Sequence, residues 1–366
     1  SALGQTVQSR IPIRGRKANP SSRDPRISVK RLRPLLLAPV LLALSGCNMV
    51  LMNPAGDVAV QQRDVLIAST LLMLVIILPV MALIVLFAVR YRQSNTAAQY
   101  RPDWHHSTGL EVAIWSAPLA IIVALGALTW VSTHLLDPYR SLSRISPGRP
   151  LSASVKPLRV EVVALDWKWL FIYPDLGVAS LNEMAVPVNT EIVFKITSAH
   201  MMNSFFVPAL AGQIYAMPGM ETPLHAVMNK PGDYEGFSAN YTGAGFSDMK
   251  FRFRGLGDAD FQRWVRTAKA HGETLDRGAY LKLDQPSERE AVRYYAAVAP
   301  DLYHDALNQC VDPRKTCADV LMRLDAQADR PTSKSPPIPA SSMRGMNMDH
   351  ESAARAAPDP SAPAKE

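Results

Sequence analysis

The stretch VLIASTLLMLVIILPVMALIVLFAV, Val65 to Val89, runs for 25 residues without a charge. As a helix rising 1.5 Å per residue it is long enough to cross a hydrocarbon layer of roughly 30 Å with some tilt. Pro79 lies inside it, which membrane helices tolerate. A second run, LEVAIWSAPLAIIVALGALTWVSTHLL, covers Leu110 to Leu136 and has a single acid, Glu111, at its start. Trp104 and Trp130 fall near its two ends, where interfacial aromatic residues collect. The two runs predict a transmembrane hairpin, with helices over 65–89 and 110–136 and a loop over 90–109.

Upstream, the sequence reads as a leader. The chain has 366 residues and 39 basic against 32 acidic side chains. Nine of the basic residues and one acid, Asp24, lie within 1–33, so the remainder is balanced. The basicity therefore belongs to the leader and implies no nucleic-acid partner. The apolar PLLLAPVLLALSGC follows, and its LSGC, Leu44 to Cys47, resembles the bacterial lipobox. Residues 1–46 read as a lipoprotein-type signal peptide, with lipid attachment at Cys47 and a short extracytoplasmic segment over 47–64. Arginines on the two sides of the hairpin nearly balance, so the positive-inside rule alone does not orient it. A lipidated Cys47 must lie outside, which makes 90–109 cytoplasmic and everything from Asp137 onward extracytoplasmic. The other cysteines, Cys310 and Cys317, occur in CVDPRKTC. In an oxidising compartment a local disulfide is the expectation. A metal site is disfavoured there, because two thiolates without histidine are half a tetrahedral set.

Beyond Arg159 the texture changes. TEIVFKIT puts Ile192, Phe194 and Ile196 on one face and Glu191 and Lys195 on the other, the period of a half-buried strand. Further short strand patterns with Gly, Pro and Asn punctuation predict an all-β sandwich over 137–257. After Gly257 the period becomes helical: Phe261, Trp264, Val265 and Ala268 mark one face. Ser287 and Glu290 in PSERE read as a capping box for another helix. A small α-helical C-terminal extension is thus expected over 258–325, and a disordered Pro-, Ala- and Ser-rich tail over 326–366.

Four stretches carry a resemblance: YRQSNTAAQYRPDWHHSTGLEVAIW, VVALDWKWLFIYP, MNSFFVPALAGQIYAMPGM and YTGAGFSDMKF. They look like subunit II of the haem–copper terminal oxidases, in the cytochrome bo-type ubiquinol oxidase branch. The resemblance runs from the lipobox to about Cys310 and implies that the sandwich is cupredoxin-like. In the cytochrome c-oxidising branch that sandwich holds a dinuclear copper centre built on two thiolates, two imidazoles, a methionine and a carbonyl. Laid onto this chain, the ligand positions fall on Asn203, Ser238, Thr242, Phe246 and Met249. Only the methionine is kept, and His200 lies three residues too early to substitute. Soft thiolates are what two coppers sharing charge require, so the resemblance implies a centre that has been lost.

The resemblance further implies a subunit with no catalytic residue, metal or other cofactor of its own. Haem and copper are expected in the partner subunit I, and quinol is the substrate of the complex. The expected partners are subunits I, III and IV and membrane lipid, with no soluble cytochrome c, in a bacterial inner membrane with the C-terminal domain periplasmic. Two alternatives stand beside this reading: a copper-binding or copper-delivering membrane lipoprotein, and a true cytochrome c oxidase subunit.

Weaker signals remain. Glu111 fits a helix first turn, where the dipole favours an acid. By resemblance it also matches the acidic position at the cytoplasmic mouth of a proton channel, and intramembrane carboxylates are functional candidates. His105 and His106 read as a solvated loop. Trp167, Trp169 and Tyr173 read as core or interface aromatics. Met343, Met346, Met348 and His350 could bind copper(I) weakly through thioethers, but a tail with chance methionines accounts for them as well.

Overall fold

The computed structural model describes residues 49–99, 103–152 and 155–328. The leader, Cys47 and the Met/His cluster of the tail lie outside the described residues.

Two long apolar helices come first, α1 (Asp57–Arg90) and α2 (Thr108–Leu135). They pack on each other, and their outward flanks are bare apolar side chains. Helix α1 begins eight residues before the charge-free run that marks the first span. Its first turns are polar and rest on the sandwich: Asp57, Val58 and Ala59 are buried. The Ala55 and Gly56 amides donate to Ala209 O, and Ala59 N–H to Leu210 O. A Cβ on Gly56 would lie 2.6 Å from Leu210 O, so this close approach requires glycine. The helix is therefore a membrane span plus a rigid stem, and the extracytoplasmic segment expected to end at residue 64 stops short of it.

The sandwich has twelve strands: β1 (Leu158–Leu165), β2 (Lys168–Tyr173), β3 (Val178–Leu181), β4 (Glu183–Pro187), β5 (Glu191–Ser198), β6 (Asn203–Phe206), β7 (Ile214–Ala216), β8 (Thr222–Val227), β9 (Gly232–Ser238), β10 (Lys250–Leu256), β11 (Glu273–Leu275) and β12 (Arg293–Val298). One sheet runs β8-β5-β1-β2-β3-β12-β11 and the other β4-β10-β9-β6-β7. The parallel pairs β1·β5, β4·β10 and β11·β12 sit among antiparallel ones. A two-strand ribbon, Arg144–Ser146 with Arg149–Pro150, precedes them. Between the sheets lies a core rich in aromatics, including Trp169, Phe171, Phe194, Phe205, Phe251 and Phe253. Trp169 and Tyr173 are fully buried core residues.

The C-terminal extension departs from the helical expectation. It carries helices α3 (Asp258–His271), α4 (Arg277–Leu283), α5 (Leu302–Leu307) and α6 (Ala318–Ala328), but also β11 and β12, which lengthen the first sheet. No helix starts at the capping-box pattern. The Ser287 hydroxyl accepts from Lys168 Nζ at 2.6 Å, Arg289 has a left-handed φ of 55°, and the Glu290 side chain pairs with Arg293. Both box residues are committed elsewhere, and the chain goes on into β12 instead. The helix that does use a cap is α4, where Asp276 Oδ1 accepts from Ala279 N–H at 2.7 Å. Residues 326–328, assigned above to a disordered tail, close helix α6.

Extension and sheet enclose a second core of Val163, Leu165, Leu170, Leu181, Tyr280, Tyr295, Leu302 and neighbours. Tyr294 and Tyr295 alternate across β12. Tyr295 joins this second core, while Tyr294 turns to the first and stacks edge-on against Trp264. Cys310 and Cys317 form a disulfide in the loop before α6.

Candidate functional site

The buried part of the connection from β9 to β10, Ser238 to Met249, is built of neutral groups, and its one charged residue, Asp248, pairs with exposed Arg289 at 2.8 Å. The Ser238 hydroxyl donates to Asn203 Oδ1 at 3.1 Å, and Asn203 Nδ2 donates to Met201 O at 3.0 Å. Ser238 N–H donates to Met249 O, and Met249 is buried. Phe246 opens a single 3-10 turn and meets the Tyr241 ring edge-on at 5.6 Å. Thr242 is buried, with its hydroxyl unpaired and its carbonyl taken by the Trp167 indole N–H at 3.0 Å.

Trp167 explains the loop's glycines. It occupies the two-residue turn between β1 and β2 with a left-handed φ of 64°, unusual for a bulky residue. Its indole lies along the loop backbone. A Cβ on Gly245 would be 2.6 Å from the ring, and Gly243, with φ of 107°, is also in contact with it. Of the three aromatics noted in the sequence, Trp167 is thus the one at an interface. The path of the loop is kept by ring packing, with no ligand needed to hold it.

The fold family implies a dinuclear copper centre in this place, and the donors present do not fit one. The positions that the resemblance assigns to ligands hold two hydroxyls, an amide already bonded to one of them, a phenyl ring and one thioether, with no thiolate or imidazole. His200 does not turn towards the loop. Its Nε2 lies 3.1 Å from Asp284 Oδ1, on the C-terminal extension. Burial holds the Asp284 carboxyl above its ordinary range; His200 opposes the shift and Asp166 adds to it. The Cys310–Cys317 pair lies beside Asp305, but sulfurs joined in a disulfide are not thiolate ligands.

Glu111 lies in the first turn of α2, and its Oε1 is 2.8 Å from His106 Nδ1. His105 instead reaches Asp103 O. The adjacent histidines therefore do different work, and one belongs with the acid. The five-residue spacing could have revealed that pairing.

Two buried ionic anchors were not legible in the sequence. Glu183, 3% exposed, accepts from the Trp264 indole at 2.9 Å and the Tyr294 hydroxyl at 2.6 Å. Burial and that bond push the Tyr294 hydroxyl up to about 12. Lys168, 1% exposed, donates to Gln285 O at 2.8 Å and to Ser287. Burial lowers its pKa, and nearby Glu290 opposes the shift. Both residues tie the extension to the sandwich.

Residues 176–254 match the family described as cytochrome c oxidase subunit II, periplasmic domain, and residues 269–314 match the COX aromatic rich motif. The chain is similar to the cytochrome bo(3) ubiquinol oxidase subunit 2 of Pseudomonas putida, 48% identical over 263 residues, which cover 72% of this chain and 81% of that one. It is 48% identical to ubiquinol oxidase subunit 2 of Acetobacter aceti, over 72% of this chain and 83% of that one. Among solved structures, the periplasmic domain of subunit II of cytochrome oxidase of Bradyrhizobium japonicum matches with 29% identity. That match has a TM-score of 0.30 and covers 31% of this chain and 94% of that one. The identity to the two quinol oxidase subunits spans most of their length, and this chain belongs to the family of subunit 2 of the bo(3)-type ubiquinol oxidases, which are respiratory terminal oxidases.

Proposed function

We propose that this subunit carries no electrons. It serves as a copper-free scaffold that braces subunit I and caps its outer face, while the complex oxidises quinol and reduces dioxygen to water. The observation that supports this most is the Ser238–Asn203 hydrogen bond. Two former ligand positions are spent on each other, and Phe246 at a third has no donor atom. Haem and copper then belong to subunit I, subunits III and IV complete the complex, and no soluble cytochrome c docks. The protein lies in the bacterial inner membrane with its sandwich in the periplasm and a lipid on Cys47. An unmodified, uncleaved N-terminus by mass spectrometry would remove the lipid from this account.

The test is to rebuild the centre. Asn203→His, Ser238→Cys, Thr242→Cys and Phe246→His together restore two thiolates and two imidazoles beside Met249. The expected outcome is about two coppers per complex beyond the wild-type content, with the purple colour of thiolate-to-copper charge transfer. A folded, assembled variant that gains no copper would mean that these positions are not the lost ligands. Copper bound tightly by the wild-type subunit itself would favour the copper-delivery alternative instead.

Glu111 is assigned to proton entry, with His106 as its partner. Glu111→Ala is expected to slow turnover several-fold at normal haem content, and Glu111→Asp to slow it less. Unchanged turnover in Glu111→Ala would reduce the residue to a helix-end acid.

A further inference from the structure

A cavity of about 250 Å³ lies between the outer ends of the two membrane helices and the sandwich. Asp57, Gln61 and Gln62 from the stem of α1 line it, together with Leu135 at the end of α2 and the segment that follows. Asp57 precedes the charge-free run by eight residues, about 12 Å of helix. The Gln62 and Leu135 end of the cavity therefore lies within about 5 Å of the apolar runs, at headgroup level, and the Asp57 end stands above it.

Asp57 is 2% exposed. One carboxylate oxygen accepts from Arg144 Nε at 2.9 Å and from Gln61 Nε2 at 2.8 Å; the other is buried without any partner. A buried acceptor left bare is costly, and a carboxylate can only be satisfied by a donor. Arg140, also on the lining, is exposed and makes no ion pair among the described residues. The acids Asp57 and Asp137 balance the guanidinium groups of Arg140 and Arg144 on the lining. His225 there is held by Glu191 Oε1 at 3.0 Å.

This pattern selects its ligand by chemistry. A cavity of balanced charge with one bare carboxylate oxygen and one free guanidinium suits a zwitterion. A phosphoglycerol head adds an anion and brings no cation. A phosphocholine head brings a cation with no N–H to donate. A phosphoethanolamine head brings both a primary ammonium and a phosphate. Val131 and Leu135, exposed on α2, continue the apolar surface below the cavity along which acyl chains can lie. We propose that this cavity seats the headgroup of an outer-leaflet aminophospholipid, with its ammonium on the free oxygen of Asp57 and its phosphate on Arg140.

The test uses the purified oxidase complex, exchanged into nanodiscs of phosphatidylethanolamine, phosphatidylglycerol and phosphatidylcholine in equal parts, with retained lipid counted by native mass spectrometry. Phosphatidylethanolamine is expected to be retained about tenfold over either other lipid, the size of one charge-assisted hydrogen bond. Asp57→Asn should abolish that preference, and Arg140→Gln should lower retention about tenfold. Asp57→Asn also weakens the Arg144 pair, so its subunit content is measured; if it fails to assemble, Arg140→Gln decides. Equal retention of the three lipids, unchanged retention in Arg140→Gln, or a preference intact in assembled Asp57→Asn overturns the proposal. So does a photo-crosslinker at Gln62 that captures subunit I in place of lipid.

Discussion

The β9–β10 loop and the seam beneath the C-terminal extension are both places where distant segments meet, and they are held in opposite ways. The buried side of the loop uses neutral bonds and rings, Ser238 on Asn203, Trp167 on Gly245 and Phe246 on Tyr241, and its one ion pair, Asp248 with Arg289, lies at the exposed surface. The seam uses buried ions: Glu183 under Trp264 and Tyr294, and Lys168 under Gln285 and Ser287. A buried charge that loses its partners costs several kcal/mol, whereas a neutral hydrogen bond is worth about one. The loop can therefore change its residues freely once it carries no ligand. The seam cannot.

Breaking the seam should give the largest effect. Glu183→Leu leaves the Trp264 indole and the Tyr294 hydroxyl without an acceptor and removes the carboxylate near Arg252 and Arg254. The expected loss is about 2–5 kcal/mol, the cost of leaving two donors unsatisfied. Thermal unfolding of the detergent-solubilised complex, followed by tryptophan emission, measures it. Glu183→Gln keeps an acceptor and should lose less. Equal stability of wild type and Glu183→Leu would show that the seam rests on apolar packing alone.

Lys168→Met should cost less, about 1–3 kcal/mol, and act more locally. The side chain keeps its length, but the extension loses its tether at Gln285 and Ser287. Limited proteolysis should therefore cut within 269–314 while strands β1 to β10 stay intact. The pH dependence has a definite sign. Burial lowers the Lys168 pKa in the folded state, so above that value the folded chain sheds a proton that the unfolded chain still holds. Wild type then gains stability relative to Lys168→Met as pH rises towards about 10.4, the ordinary lysine value. A difference that shrinks with rising pH would contradict the burial argument.

The same contrast explains what could be read from the residues in advance. The membrane hairpin and the sandwich are periodic over many residues, so Val65–Val89 and TEIVFKIT announce themselves. The loop could be read only through its resemblance, and the ligand positions laid onto it await the copper-rebuilding test. The seam was not: Glu183 finds Trp264 and Tyr294 at separations of 81 and 111 residues. Lys168 reaches across 119 residues to Ser287, and so defeats the local capping pattern that PSERE presents. Asp57 falls in the short segment read as preceding the first span, and only the fold brings Arg144, 87 residues on, to its side.

The smallest effect is expected at the loop, and it sharpens the comparison most. Ser238→Ala removes a buried hydroxyl and leaves Asn203 Oδ1 without its donor. The loss should be about 0.5–1.5 kcal/mol, the net value of a neutral hydrogen bond. Ser238→Ala combined with Asn203→Leu removes both partners, and replacing both sides of a buried pair by apolar groups is nearly neutral. The double variant should therefore be less destabilised than the two single variants added together. Quinol-driven oxygen consumption by the assembled complex should match wild type in all three, since on this account the loop only connects two strands. A fall in turnover at normal haem content and normal stability would mean that the neutral loop takes part in the reaction.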